Sequence, residues 1–235
     1  MTKRNDPVKY LQRILLVAVV SAFLFPFVWM ILASLKTQHQ ILSNTNILIF
    51  KPTFKNYQDV FEQYSFLKFI WNSFLIAMGS TILSLVLGLP AAYSIARYRQ
   101  QKLGVIILVA RIVPGITFLI PWFILFSKLH LVDSYTSMIL SHMLVGLPFI
   151  VWIMVSYFEN LPIELEESAR VDGCTIQEAF WRIVLPISGP GIITSSIFSF
   201  VFSWNNFMFS LVLSGDKTKT LPIAVFSFLS YSEIN

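Results

Sequence analysis

Charge is scarce in this chain. Only 12% of its 235 residues are Asp, Glu, Lys or Arg, about half the fraction of an average soluble domain, which argues against a water-soluble fold. A single cysteine, Cys174, excludes an internal disulfide and any cysteine-based metal cluster. No G-x-x-x-x-G-K-[ST] segment is present to cradle ATP phosphates, and H-E-x-x-H and G-x-S-x-G are absent as well. The long apolar runs hold no paired carboxylates, which an ion-coupled carrier or a membrane enzyme would want. They also lack the internal repeat that marks many secondary transporters. The sequence therefore offers no catalytic residue, no cofactor-binding residue and no metal ligand, and any energy source must come from elsewhere.

What the chain has is hydrophobic length. Hydrophobic residues make up 56% and aromatics 15%, with 22 Phe and 6 Trp, the composition of an integral membrane protein. Charge-free or nearly charge-free runs at 14–33, 69–96, 103–126, 134–158 and 191–212 are each about the 20 residues a bilayer requires. The expected fold class is all-α, a polytopic membrane helix bundle with five spans. The first run exceeds the apolar core of roughly 7–15 residues in a cleaved signal peptide, so it is read as a retained helix. Lys3, Arg4, Lys9 and Arg13 face only Asp6 in residues 1–13, which places the N-terminus in the cytoplasm. Alternation then puts loop 35–68 outside, the basic turn from Arg97 to Lys102 inside, segment 159–186 inside, and 214–235 outside. The net charge of +5 accordingly bears on topology and anionic lipid before nucleic acid.

Polar residues inside the spans are few. Arg111 lies a few turns from the basic turn, so it is expected to snorkel to the interface or meet a partner subunit. His142 is read as a hydrogen-bonded packing residue. Asn72, Trp204, Asn205 and Asn206 are candidates for lining a pathway, with interhelical bonding as the competing role.

Segment 161–190 organises the rest. Six acids lie from Glu159 to Glu178, accompanied only by Arg170 and, just beyond, Arg182. Each charge would cost about 2.5 kcal/mol or more at the bilayer centre, so the segment stays outside the hydrocarbon. Pro162 suits a first helical turn, and Glu164, Glu166 and Glu167 favour the positive end of the dipole. Gly173 can take the left-handed conformation that ends a helix. Thr175 and Glu178 have capping-box spacing for a second helix, and Ile176, Ala179, Phe180, Ile183 and Val184 recur on one face of it. Pro186 is expected to end that helix. Such a bent helix pair, acidic and apolar by turns, reads as a docking element for a protein partner.

Glu167-Ser168-Ala169, three residues, Gly173, nine residues and Ile183-Val184-Leu185-Pro186 resemble the EAA signature of permease subunits of bacterial ABC importers. That signature runs E-A-A, three residues, G, nine residues, I-x-L-P; Ser168 replaces its first alanine, and the Asp172-Gly173 pair is also usual. Lys55-Asn56-Tyr57 with Phe61, Asn72-Ser73, Trp204-Asn205-Asn206-Phe207 and Lys219-Thr220-Leu221-Pro222 are similar to the sugar-transporting branch, the kind containing the maltose importer's smaller membrane subunit.

The resemblance implies a type I ABC importer transmembrane domain over 14–213 in a bacterial plasma membrane, a permease and not an enzyme. It implies that loop 159–186 docks on a cytoplasmic ABC ATPase dimer through Glu164, Glu167, Ser168, Ala169, Asp172, Gly173 and Phe180. ATP and Mg would belong to that partner. Further implied partners are a second homologous permease subunit, forming a heterodimer, and an extracytoplasmic solute-binding protein that delivers a sugar or oligosaccharide. A polyol or glycerol phosphate is the alternative cargo; a non-ABC carrier or a scaffold using the same loop is the alternative class. Members of the branch usually carry a sixth helix, whereas the apolar run 221–229 is too short to span, so a truncated or short variant is expected.

Overall fold

The computed structural model describes residues 7–42, 50–63 and 65–232, without the side chains of 7, 42, 63, 101, 108, 110, 111 and 229–232. Lys3, Arg4 and Asp6 of the N-terminal cluster and the side chain of Arg111 lie outside the described residues. Those that are described form helices joined by short connections, with no strand among them.

Residues 1–65 form one unit. Helix α1 (Pro7–Ser34) contains the expected first span, and α2 (Gln38–Leu42) and α3 (Lys55–Gln63) follow. The segment leading into α3 folds back on the end of α1. Asn56 Nδ2 donates to the carbonyls of Ser34 at 2.9 Å and Lys36 at 2.8 Å, and Tyr57 Oη pairs with Ser34 Oγ at 2.6 Å. Asn56 thus satisfies carbonyls at and just past the end of α1, while Tyr57 meets a hydroxyl there.

Residues 66–235 form the second unit. Its frame is α4 (Phe66–Arg97) and α7 (Tyr135–Glu159), against which α11 (Gly189–Trp204) packs. Among the described residues three helices are long and apolar enough to cross a membrane: Val8–Ser34, Phe66–Arg97 and Tyr135–Glu159. A fourth crossing exists if Ile176–Ile187 and Gly189–Trp204, which meet at 75°, count together. Continuous helices therefore account for the first, second and fourth expected spans only.

The other two runs are interrupted. The run 103–126 is split into α5 (Gln101–Ile112), a 3-10 turn (Gly115–Phe118) and α6 (Leu119–Lys128). Pro114 supplies no N–H and forces Val113 out of the helical region, to φ −64° and ψ 121°. The run 191–212 breaks at residues 205–207 between α11 and α12 (Met208–Leu213). Non-helical backbone at membrane depth survives only where protein covers it or a wet cavity adjoins it. Here the breaks come close together: the Phe209 ring lies 3.9 Å from where a Cβ on Gly115 would stand. Helix α13 (Leu221–Ser232) closes the described chain.

The interior of this unit is layered. Near the loop 159–186, Leu89, Tyr93, Ile150, Met154, Phe158, Phe180 and Val184 form one apolar cluster. At the far end Ile76, Phe126, Met138, Phe209 and Leu213 form another. Between them α4, α7 and α11 meet through buried Ser80, Ser84, Ser141, His142, Ser195, Ser199 and Ser203. Large apolar side chains such as Ile82, Val86, Trp152, Ile193 and Ile197 point outward instead. In lipid no hydrophobic force drives helices together, so small residues and interhelical hydrogen bonds hold the contact. Gly146 shows how close it is: a Cβ there would stand 2.6 Å from Ser199 Oγ and 3.2 Å from Ser84 Oγ.

Candidate functional site

The segment after α7 is the expected bent pair of helices. Helix α8 (Glu164–Val171) carries Glu164, Glu166 and Glu167 in its first turn, at the end where the dipole favours them. Gly173 stops it with φ +95°, and Cys174 N donates back to Ala169 O at 3.0 Å, the closing bond of a left-handed helix cap. Helix α9 (Ile176–Ala179) opens with the complete capping box: Glu178 N donates to Thr175 Oγ1 at 3.2 Å and Thr175 N to Glu178 Oε2 at 2.9 Å. The hydrogen bonds from the Thr175 backbone and side chain hold the Glu178 carboxyl below its ordinary range. The helix then widens into a π-helical turn (Phe180–Val184) and continues as α10 (Leu185–Ile187). Pro186 does not end it. Leu185 N reaches back to Phe180 O, one residue further than in an α-helix, and this wider turn carries the helix past the proline. The chain turns at Ser188 instead, into α11.

The expected docking residues separate by burial. Glu164, Glu167, Ser168, Asp172 and Gly173 are exposed, whereas Ala169 and Phe180 are buried. Ser168 Oγ donates to Glu164 O at 2.9 Å, so a serine fits this exposed position with its hydroxyl satisfied by its own helix. Phe180 is packed against Tyr93, with ring centroids 4.7 Å apart, and against Phe158. A side chain so placed anchors the loop to its own bundle and has no surface for a partner. The exposed apolar residues are others: Ile163, Leu165, Val171, Ile176 and Trp181, with Val171 87% accessible.

Glu166 is the residue that sequence reasoning did not single out. It is 7% exposed, accepts from Tyr93 Oη at 2.6 Å and Arg97 Nε at 2.7 Å, both on α4, and forms an ion pair with Arg97 Nη2 at 2.6 Å. Arg97 Nη2 also reaches Leu161 O at 3.3 Å. Arg97 thus leaves the basic turn to which its sequence position assigned it and joins α4 to the loop. A cleft of about 160 Å³ opens beside this cluster, with Tyr98, Glu167, Arg170 and Ile176 at its mouth. Glu166 and Ala169, three apart, share a helix face; the small residue between larger ones was the available sign that this face is packed.

The candidates for pathway lining have other partners. Asn72 is buried, donates to Lys217 O at 3.0 Å and Lys219 O at 2.9 Å, and accepts from Tyr135 Oη at 2.7 Å. It clamps the 214–220 segment to α4. Asn205 Nδ2 donates to Val201 O at 2.9 Å, a carbonyl that also accepts from Asn205 N, and Asn206 Oδ1 accepts from Phe209 N at 3.1 Å, so both bond backbone on either side of the helix break. Trp204 is half-buried with its ring stacked on Phe200.

The same 214–220 segment has a second clamp, also unforeseen. The Asp133 carboxylate accepts from Gly215 N, Lys217 N, Thr218 N and Thr218 Oγ1 at 2.7–3.1 Å. Partial burial works against its charge, but the bonds from the Thr218 hydroxyl and the three amides outweigh it and hold the carboxyl below its ordinary value of 3.8. No group of three or more metal-ligating side chains occurs among the described residues.

A bundle with small polar residues inside, interrupted helices and a charged helical pair at one end defines a polytopic membrane transport subunit. Residues 84–234 match the family described as "Binding-protein-dependent transport system inner membrane component", and the chain belongs to it. It is 35% identical over 208 residues to the sulfoquinovosyl glycerol transport system permease protein of Agrobacterium fabrum, covering 86% of this chain and 73% of that one. It is 30% identical over 220 residues to the trehalose transport system permease protein of Mycobacterium tuberculosis, covering 92% and 80%. Against the trehalose/maltose transport system permease protein of Thermococcus litoralis the figures are 30% over 228 residues, 93% and 82%. The fold matches a solved bacterial ABC transporter that imports the polysaccharide alginate, with a TM-score of 0.81 at 21% identity over all of this chain and 84% of the other.

Two outcomes test these clamps. Replacing Glu166 by Ala leaves Arg97 buried and unpaired, a loss of about 3–5 kcal/mol in comparable buried pairs; trypsin should then cut at exposed Arg170 and Arg182 several-fold faster, and an unchanged rate would refute the anchor. Asp133→Asn should raise amide exchange at Gly215, Lys217 and Thr218 about tenfold, on the order of 1–2 kcal/mol. Because folding depresses this carboxyl, its contribution is intact above the unfolded value and is lost as pH falls through the folded one. Protection of these amides in the wild type, taken relative to the intrinsic exchange rate at each pH, should therefore fall only below about pH 3.8.

Proposed function

We propose that this chain is the sugar- or oligosaccharide-conducting permease subunit of an ATP-driven importer, and that loop 159–186 is its docking element for a cytoplasmic ABC ATPase dimer. The observation that carries the docking role is that Leu165, Val171, Ile176 and Trp181 stay exposed on a bent helix pair that is itself fastened to α4 through Glu166. Apolar side chains on a structure held outside the bilayer favour burial in a partner's groove. Glu164, Glu167, Ser168 and Asp172 rim that surface, Gly173 sets its bend, and Ala169 and Phe180 act indirectly by fixing the loop. The sugar assignment is supported by relatives whose names specify trehalose, maltose and sulfoquinovosyl glycerol.

In this reading ATP and Mg are held by the partner, the N-terminus is cytoplasmic, and a second, related permease completes the path. A solute-binding protein delivers cargo on the other face of the membrane. Nucleotide-driven closure of the ATPases would move the loops, and the Arg97–Glu166 strut would pass that displacement to α4. The interrupted helices at 113–114 and 205–207 would be the places where the path bends.

Two measurements bear on this. Gly173→Val meets no neighbouring atom but forces a β-branched residue to φ +95°, a strain of about 1–2 kcal/mol or more. The variant should insert normally yet fail to co-purify an ATPase, and recovery of a normal active complex would refute docking. Cys174, the one cysteine, should react with a membrane-impermeant maleimide only after cells are opened. Labelling of sealed cells would overturn the orientation.

A further inference from the structure

Where a span breaks at residues 205–207, something must hold its two halves at a defined angle, because the helix ladder no longer does. His142 on α7 touches both. It is 2% exposed; Nδ1 lies 2.8 Å from Ser203 Oγ in the last turn of α11, and Nε2 lies 3.4 Å from Ser210 Oγ in the first turn of α12. Ser203 Oγ in turn accepts from Ser80 Oγ of α4 at 3.0 Å.

Hydrogen counting gives this chain a direction. Each hydroxyl has one proton. That of Ser210 goes to Asn206 O at 2.9 Å, inside the break, so Nε2–H must be the donor toward Ser210. Nδ1 is then the acceptor, and Ser203 supplies its proton. The order runs Ser203, His142, Ser210, Asn206 carbonyl: from α11 through α7 into α12 and the backbone of the break, while the single proton of the Ser80 hydroxyl is shared between Ser203 Oγ at 3.0 Å and Ala77 O of its own helix at 3.1 Å. Neighbouring links polarise one another in a site sheltered from water.

We propose that His142 is a positioning residue for transport, fixing the hinge between α11 and α12 by bonding the two halves at once. This does not depend on which partner occupies the loop 159–186; it requires only that the broken span move when the permease changes state. A ring that bonds each half separately would hold one angle and release it when α11 and α12 turn relative to α7.

The experiment uses the full chain in lipid nanodiscs with the subunits that co-purify. Spin labels at lipid-exposed Val201 and Leu211 report the distance across the break, with and without a non-hydrolysable ATP analogue. His142→Met fills the space without either bond, and His142→Gln restores one acceptor and one donor. The distance distribution should be narrow in wild type, at least twofold broader in H142M without nucleotide, and narrow again in H142Q. Ser203→Ala and Ser210→Ala, each removing a single small hydroxyl, should broaden it partially. A merely structural histidine would lower thermal stability without moving the distribution. A wild-type distribution in H142M, or an H142Q distribution as broad as that of H142M, would overturn the proposal.

Discussion

One buried ion pair joins the charged helical pair after α7 to the long apolar helix α4. Glu166 and Arg97 are each nearly excluded from water, with side-chain exposures of 10% and 11%, and removing two charges from solvent is unfavourable unless every lone pair and proton finds a partner. Here Tyr93 and two of the three guanidinium nitrogens of Arg97 face the carboxylate, and Leu161 O takes a further proton. The aromatic packing of Tyr93, Phe158 and Phe180 covers the cluster. The loop is thus rigidly seated on α4, which is what a docking element needs if displacement at its surface is to reach the helices.

The opposite end uses a different arrangement for the same purpose. A single carboxylate, Asp133, gathers the amides and hydroxyl of 215–218, while Asn72 binds the carbonyls of 217 and 219 and Ser73 Oγ receives Leu221 N at 2.8 Å. A loop whose backbone groups are answered one by one from α4 and from the turn before α7 is held without a hydrophobic core of its own. Between these two ends, the serine-lined seam lets α4, α7 and α11 approach closely while the bulky apolar side chains face lipid.

Much of the site was legible in the sequence for local reasons. The bend at Gly173, the capping box of Thr175 and Glu178, and the acidic first turn of α8 depend on residues within a few positions of one another. Placement of polar side chains across helices was not legible. Asn72, read as a pathway candidate, clamps a segment some 145 residues away in sequence. Phe180, read as a docking residue, packs inward against Tyr93 and Phe158, rings that come from two other helices. Glu166 was hidden among similar acids, since composition cannot say which of three neighbouring carboxylates points at a buried arginine.

The residue pattern alone determined that the chain is a helical membrane protein with a bent, charged helix pair between its apolar runs. Length, hydropathy and glycine or proline chemistry act within one segment and need no partner. Only tertiary structure decided which runs stay continuous, which acid is the anchor and where the buried histidine aims. Those outcomes rest on hydrogen bonds between helices far apart in the chain, and their geometry exists only after the helices have packed.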